Sequence, residues 1–150
     1  MRFGCCINMF SSPEDPLGKR FLPDLAKNGY DYAEIPLAQT MELPEEAFQD
    51  LLRELKFLEL PCEACNNFFP ASLRLTGPEV SDRKMEEYGK QALDRAARLG
   101  AQVIVFGSGP AKNIPEGFDP NEGFRQITEV LHKADCWAEP YGIRIALEPL

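Results

Sequence analysis

Short apolar runs alternate with longer amphipathic stretches along the whole chain, and the two kinds of segment have different periods. RFGCCIN (2–8), YDYAEIP (30–36), LPCEACN (60–66), AQVIVFG (101–107) and GIRIALEPL (142–150) are apolar or alternating and of strand length. The stretches between them follow helical spacing. The first predicts a helix near residues 15–28 that stops at Asn28-Gly29. In the second, Pro44 opens a helix carrying Phe48, Leu51, Leu52, Leu55 and Leu58. Ser81 caps the third, where Met85, Tyr88, Ala92, Ala96 and Leu99 form one stripe closed by Gly100. The fourth has Phe124, Ile127, Leu131, Ala134 and Trp137 on its inner face, with Trp137 expected between helix and sheet. The order βαβαβαβαβ requires a parallel sheet with right-handed connections.

Two connections are longer than the rest: NFFPASLRLTGPEV after the third strand and GSGPAKNIPEGFDP after the fourth. Both follow the C-terminal ends of strands, where parallel α/β folds bind their ligands, and loops of that length in a compact unit usually carry function. A five-stranded doubly wound sheet of the flavodoxin type has the same element count. GSG is followed by Pro110, however, so no glycine-rich turn leads straight into a helix and no phosphate or dinucleotide fingerprint is present. Glu34, Asn66 and Glu148 stand at equivalent ends of their strands. Polar groups converging on one rim suit the mouth of a barrel.

Alternation assigns faces. Ile143, Ile145 and Leu147 form one side of the fifth strand, suited to packing against helices, which turns Arg144, Ala146 and Glu148 the other way. In the second strand Glu34 likewise points away from Ala33, Ile35 and Leu37. A carboxylate inside a sheet or barrel must be paired or metal-bound, because burying it bare is costly. The plainer alternatives are a salt bridge from Glu34 to Arg2 or Arg144, and a solvated Glu148.

Composition narrows the class. With 150 residues the chain is of one-domain length, expected as a single domain over 1–150. Sixteen basic against twenty-four acidic side chains give a formal charge of −8, which repels phosphate backbones, so no nucleic-acid partner is expected. No apolar run nears the roughly 20 residues that span a bilayer, so no membrane partner is expected either. Without a signal-peptide pattern at the N-terminus, a cytoplasmic location is the expectation. Five cysteines fit reduced, buried thiols better than a disulfide framework. Cys62 and Cys65 form a C-x-x-C, but residues three apart on a regular strand point to opposite faces and would not share a metal; the same geometry separates Cys5 from Cys6. The single histidine, His132, falls mid-helix on an expected solvent face.

NNFFP after the third strand, FGSGPAKNIPEGF after the fourth, GIRIALEPL at the fifth and AEIPL in the second together resemble the xylose isomerase-like TIM barrels. More narrowly, they are similar to the sugar phosphate isomerase/epimerase group that includes ketose 3-epimerases. The resemblance implies a (β/α)8 TIM-barrel fold of about 250 or more residues, of which this chain would supply strands 1–5 and helices 1–4, a partial barrel. It implies a sugar or sugar phosphate substrate and a divalent metal, Mn²⁺ or Mg²⁺, held partly by an acid on the fifth strand. Glu148 occupies that position and would be both metal ligand and catalytic carboxylate. The implied chemistry removes a proton beside a ketose carbonyl through an enediolate. Strands six to eight and their ligands are not in the 150 residues, so little turnover is expected from them alone.

Further candidates for substrate contact are Glu34, Asn66, Phe68, Ser108 and Lys112. Phe68 and its neighbour Phe69 would either wall a sugar pocket or pack onto the rim. Ser108 and Lys112 would either meet a sugar hydroxyl or phosphate, or stay solvated. An unclosed sheet exposes its first and fifth strands, so a homo-oligomer is one expectation, although two copies bring ten strands where a barrel closes with eight. The alternatives are a non-catalytic half-barrel or assembly module, and an AP-endonuclease-like hydrolase, which a single histidine and negative charge disfavour.

Overall fold

Five parallel strands pair in chain order in the computed structural model, which describes residues 1–148. They are β1 (Gly4–Cys6), β2 (Tyr32–Pro36), β3 (Cys62–Asn66), β4 (Val103–Phe106) and β5 (Arg144–Leu147). Strictly sequential order excludes the doubly wound alternative, in which the order reverses at a switch point. It is the order of a barrel wall, here open, with β1 and β5 as its edges. Pro149 and Leu150 of the GIRIALEPL motif lie outside the described residues.

The helices are α1 (Leu22–Lys27), α2 (Leu37–Met41), α3 (Glu45–Phe57), α4 (Asp82–Leu99), α5 (Gly109–Lys112) and α6 (Pro120–Ala138). α3 begins after Pro44 and buries Phe48, Leu51 and Leu55. α4 is capped by Ser81, whose side chain accepts from the Lys84 amide, and ends at Gly100 in the left-handed region at φ 89°. Both agree with their sequence patterns. The helix expected over 15–28 is shorter, because Gly18 adopts φ 75° and residues Lys19–Phe21 form a 3₁₀ turn before α1. The short helices α2 and α5 were not foreseen.

Two packing expectations change. Phe124 is 73% exposed, whereas the rest of the expected face holds: Ala134 is buried, with Gly123, Val130 and Ala138 beside it, and Ile127 and Leu131 pack half-buried against the core. Ile114 of the preceding loop packs against the neighbouring Gly123, where a Cβ would lie 2.7 Å from its side chain. Trp137 is half-buried against the core and lies on α4, where a Cβ on Gly89 would meet its ring at 2.7 Å. Of the apolar side of β5, Ile143 is buried and Ile145 half-buried, but Leu147 is 54% exposed because no described helix covers the end of that edge.

β3 is bulged. Ala33 pairs with Cys62 but Glu34 pairs with Ala64, so Glu63 is an extra residue opposite β2. The bulge overturns the expectation for the C-x-x-C: Cys62 and Cys65 are both buried and their sulfurs lie 3.9 Å apart. Cys136, by contrast, is exposed rather than buried.

Candidate functional site

Register places the polar strand residues on one face. Cys6 pairs with Glu34, Glu34 with Ala64, Ala64 with Val103 and Val103 with Arg144, while Pro36 pairs with Asn66. Partners in register share a face, and alternate residues return to it. Glu34, Asn66 and Glu148 therefore lie on one side of the sheet, with the buried layer of Ile35, Cys65 and Ile104 on the other. The Glu148 amide donates to the Phe106 carbonyl at 3.3 Å and carries the β4–β5 ladder to the strand end.

Cys6 joins two of these residues. The Asn66 side-chain amide donates to Cys6 Sγ at 2.8 Å, and the Glu34 carboxylate acts on the same thiol from the adjacent strand. Burial, and then the Glu34 charge, push the Cys6 thiol above its ordinary value. With its amide engaged, Asn66 is left with Oδ1 as a buried acceptor without a partner among the described residues. A buried carbonyl oxygen in that condition is what a ligand hydroxyl would satisfy. Neither salt bridge considered for Glu34 forms: Arg2 pairs with Glu63 instead. Cys6 was read from the sequence as a small hydrophobe, and only its register with Glu34 reveals its contact with the polar residues. Glu34→Gln removes the charge that holds the thiolate down, so iodoacetamide should label the tryptic peptide 3–19, which contains Cys5 and Cys6, faster at neutral pH. An increase of roughly two- to tenfold is expected, because Glu34 pushes up Cys5 as well.

The two long loops are fastened together above the strand ends. The Leu75 amide donates to the Ala111 carbonyl at 3.0 Å and Thr76 Oγ1 to the Asn113 carbonyl at 2.7 Å. Arg74 donates to the carbonyls of Pro110 and Asn113. Gln126 of α6 clamps Gly77, accepting from its amide at 2.7 Å and donating to its carbonyl at 3.1 Å. Ser108 belongs to this fastening: its hydroxyl, only 4% exposed, accepts from the Phe69 amide at 3.0 Å. Ser108→Ala should cost about 1–3 kcal/mol, since the buried Phe69 N–H loses its acceptor; the shift of a urea-denaturation midpoint measures it.

Phe68 is fully buried, edge-on to Phe106 at 6.2 Å, and Tyr88 Oη donates to its carbonyl at 3.0 Å. It packs under the rim and has no free surface for a pocket wall among the described residues. Lys112 reaches β5, where its ammonium donates to the backbone carbonyl of Glu148 at 2.6 Å. Thus Glu34 and Asn66 come together through Cys6, and Lys112 and Glu148 through the strand end, while Ser108 and Phe68 are absorbed into packing. His132 is exposed.

A metal needs more than this face offers. No group of three or more His, Cys, Asp or Glu side chains suited to an ion occurs among the described residues. Glu148 is one hard oxygen ligand, not a cage, so the described residues do not fit a resident divalent ion by themselves.

Sequential parallel strands, helices between them, and polar residues gathered on one face near the strand ends define a protein of the β/α-barrel class. A family profile narrows the class: residues 22–150 match the xylose isomerase-like TIM barrel, and the chain belongs to that family. No curated protein sequence is significantly similar to it. Among solved structures, it superposes on D-psicose 3-epimerase in the presence of D-fructose with TM-score 0.78 and 14% identity, covering 100% of this chain and 53% of that one. D-allulose 3-epimerase from Methylomonas sp. in complex with D-allulose gives 0.79 and 20%, with coverages of 98% and 50%. An AP endonuclease, family 2, from Brucella melitensis gives 0.74 and 21%, with 99% and 55%. The chain thus spans about half the length of each of these structures.

Proposed function

We propose that the chain supplies the β1–β5 wall of a sugar or sugar phosphate isomerase/epimerase, which moves a proton beside a ketose carbonyl through an enediolate. The observation that carries the reading is the unpartnered Asn66 Oδ1, on the same face as Glu34 and Glu148. Asn66 would accept a hydrogen bond from a sugar hydroxyl, with its amide held in place by Cys6. Glu148 would exchange the proton with the carbon, being a carboxylate at the end of an open strand. The divalent ion that such chemistry uses, Mn²⁺ or Mg²⁺, would take Glu148 as one ligand and its others from elements outside β1–β5. Proton return to the other face or the neighbouring carbon needs a second acid, so the chain by itself should not turn over.

Nuclear magnetic resonance of the labelled chain with ketoses at roughly millimolar concentration tests the reading. The Asn66 side-chain amide and the backbone amides of Ala146 and Leu147 should shift, and Asn66→Ala should remove the effect. Ketoses that leave this face unperturbed would refute sugar binding there. Incubated with the ketose, the chain should form no epimer or isomer; an epimerised or isomerised product would refute the need for a second acid.

An assembly role is a second reading, favoured by the open edges of β1 and β5 with Phe3 and Leu147 more than half exposed. A single species at every concentration in sedimentation would count against it. DNA hydrolysis, the chemistry named for one structural neighbour, is disfavoured by the charge of −8. No helix among the described residues is long and apolar enough to cross a membrane.

A further inference from the structure

The buried side of β3 carries chemistry that the sugar reading does not use. Cys62 and Cys65 are 1% and 0% exposed, and their sulfurs stand 3.9 Å apart because the bulge at Glu63 returns both to one side. Cys62 Sγ also lies 3.2 Å from the Ala64 carbonyl oxygen and donates to it. The proton shared between the two sulfurs is then that of Cys65. To reach the ~2.05 Å length of a disulfide, the sulfurs must approach by about 1.9 Å, within reach of side-chain rotation and a small strand adjustment.

Cys62, though not Cys65, borders a surface groove. A groove of about 380 Å³ is lined by Cys62 itself with Leu52, Lys56, Glu59, Pro61 and Arg98. Lys56 stands opposite Glu59 in this lining and Arg98 is ion-paired with Glu45 and Asp94, and the adjoining turn is held at Glu59 with φ 53°, an unusual value for a side-chain-bearing residue.

We propose that Cys62 and Cys65 form a reversible dithiol–disulfide site, oxidised through this groove by a low-molecular-weight disulfide of the glutathione type. The Cys62 thiolate attacks one sulfur of the reagent, breaking its S–S bond and expelling one glutathione thiolate with the electron pair. Cys65 then attacks the Cys62 sulfur and expels the second glutathione. One disulfide is broken and one formed; the protein loses two electrons and two protons, and the reagent gains them as two thiols. The Cys62 sulfur, and then burial, push the Cys65 thiol well up, and only Cys62 borders the groove, so the first attack falls to Cys62 and the second to Cys65. The bond formed would span the bulge of the strand that ends at Asn66.

The test uses the whole chain equilibrated with oxidised glutathione, alkylated in denaturant and digested with trypsin. Cleavage after Lys56 and Arg74 gives one peptide, residues 57–74, with both cysteines and no other. It should lose both alkylation sites and two hydrogens, and dithiothreitol should restore both thiols. Cys65→Ser should hold a single glutathione on Cys62, whereas Cys62→Ser should leave Cys65 free. The exposed Cys136 reports that the oxidant is effective. If peptide 57–74 keeps both thiols while Cys136 carries glutathione, or accumulates two glutathiones without an internal bond, the proposal is overturned. The outcome is independent of whether ketoses bind the opposite face.

Discussion

Phe106→Ala is expected to lower folding stability by about 3–5 kcal/mol, a large share of the roughly 5–15 kcal/mol typical of a domain. Phe106 is fully buried at the end of β4. Its ring meets Phe69 at 5.5 Å and Phe68 at 6.2 Å, both near edge-on, and Phe69 continues the cluster to Tyr88 at 5.7 Å. Removing the ring forfeits its burial, leaves a cavity and breaks aromatic pairs worth about 0.5–1.5 kcal/mol each beyond area. The cluster supports the Phe69 backbone that Ser108 anchors, so the loss reaches the rim. Urea denaturation should show a lower midpoint with an unchanged slope. Phe124→Ala, at the 73% exposed position on α6, should stay within about 0.5 kcal/mol of the parent. Equal effects at the two positions would contradict the placement of both rings.

Gly18→Ala is the second large effect, and Gly29→Ala its control. Both glycines have left-handed backbones, at φ 75° and 79°. Either alanine incurs the ~1–2 kcal/mol of that conformation. A Cβ at Gly18 would also stand 2.3 Å from the Ile7 carbonyl oxygen and 3.3 Å from the Phe10 carbonyl carbon, whereas at Gly29 nothing lies within 4 Å. Backbone cannot swing aside as a side chain does, so overpacking adds about 1–3 kcal/mol at Gly18 alone. Paired denaturation curves should therefore separate the variants, with Gly18→Ala the less stable; coincident curves would sink the steric argument.

Periodicity made the five strands, α3 and α4 legible, because their apolar positions recur over enough residues to fix both type and face. α2 and α5 span too few residues for any period to emerge. The bulge at Glu63 has no local signature, and it reversed the geometry of Cys62 and Cys65. α6 keeps the face its pattern predicts except at Phe124, next to Gly123, which meets Ile114, a loop residue that no pattern within the helix contains. The same division holds at the site. Alternation placed Glu34 and Glu148 correctly on the sheet, and Asn66 joins them there. Ser108 and Phe68 lie in loops, where direction is set by contacts with distant residues such as Phe69, Phe106 and Tyr88.

The clamp between Gln126 and Gly77 has a consequence for the order of folding. Its partners are 49 residues apart, and the contact between Phe69 and Ser108 spans 39. Closing such loops has an entropic cost that is repaid only when both ends are structured. Early pairing of β1 to β3 would therefore leave Leu75 and Thr76 unanchored until Ala111 and Asn113 are in place, and Gly77 until α6 has formed. During synthesis, the chain must grow past Gln126 before the rim can lock.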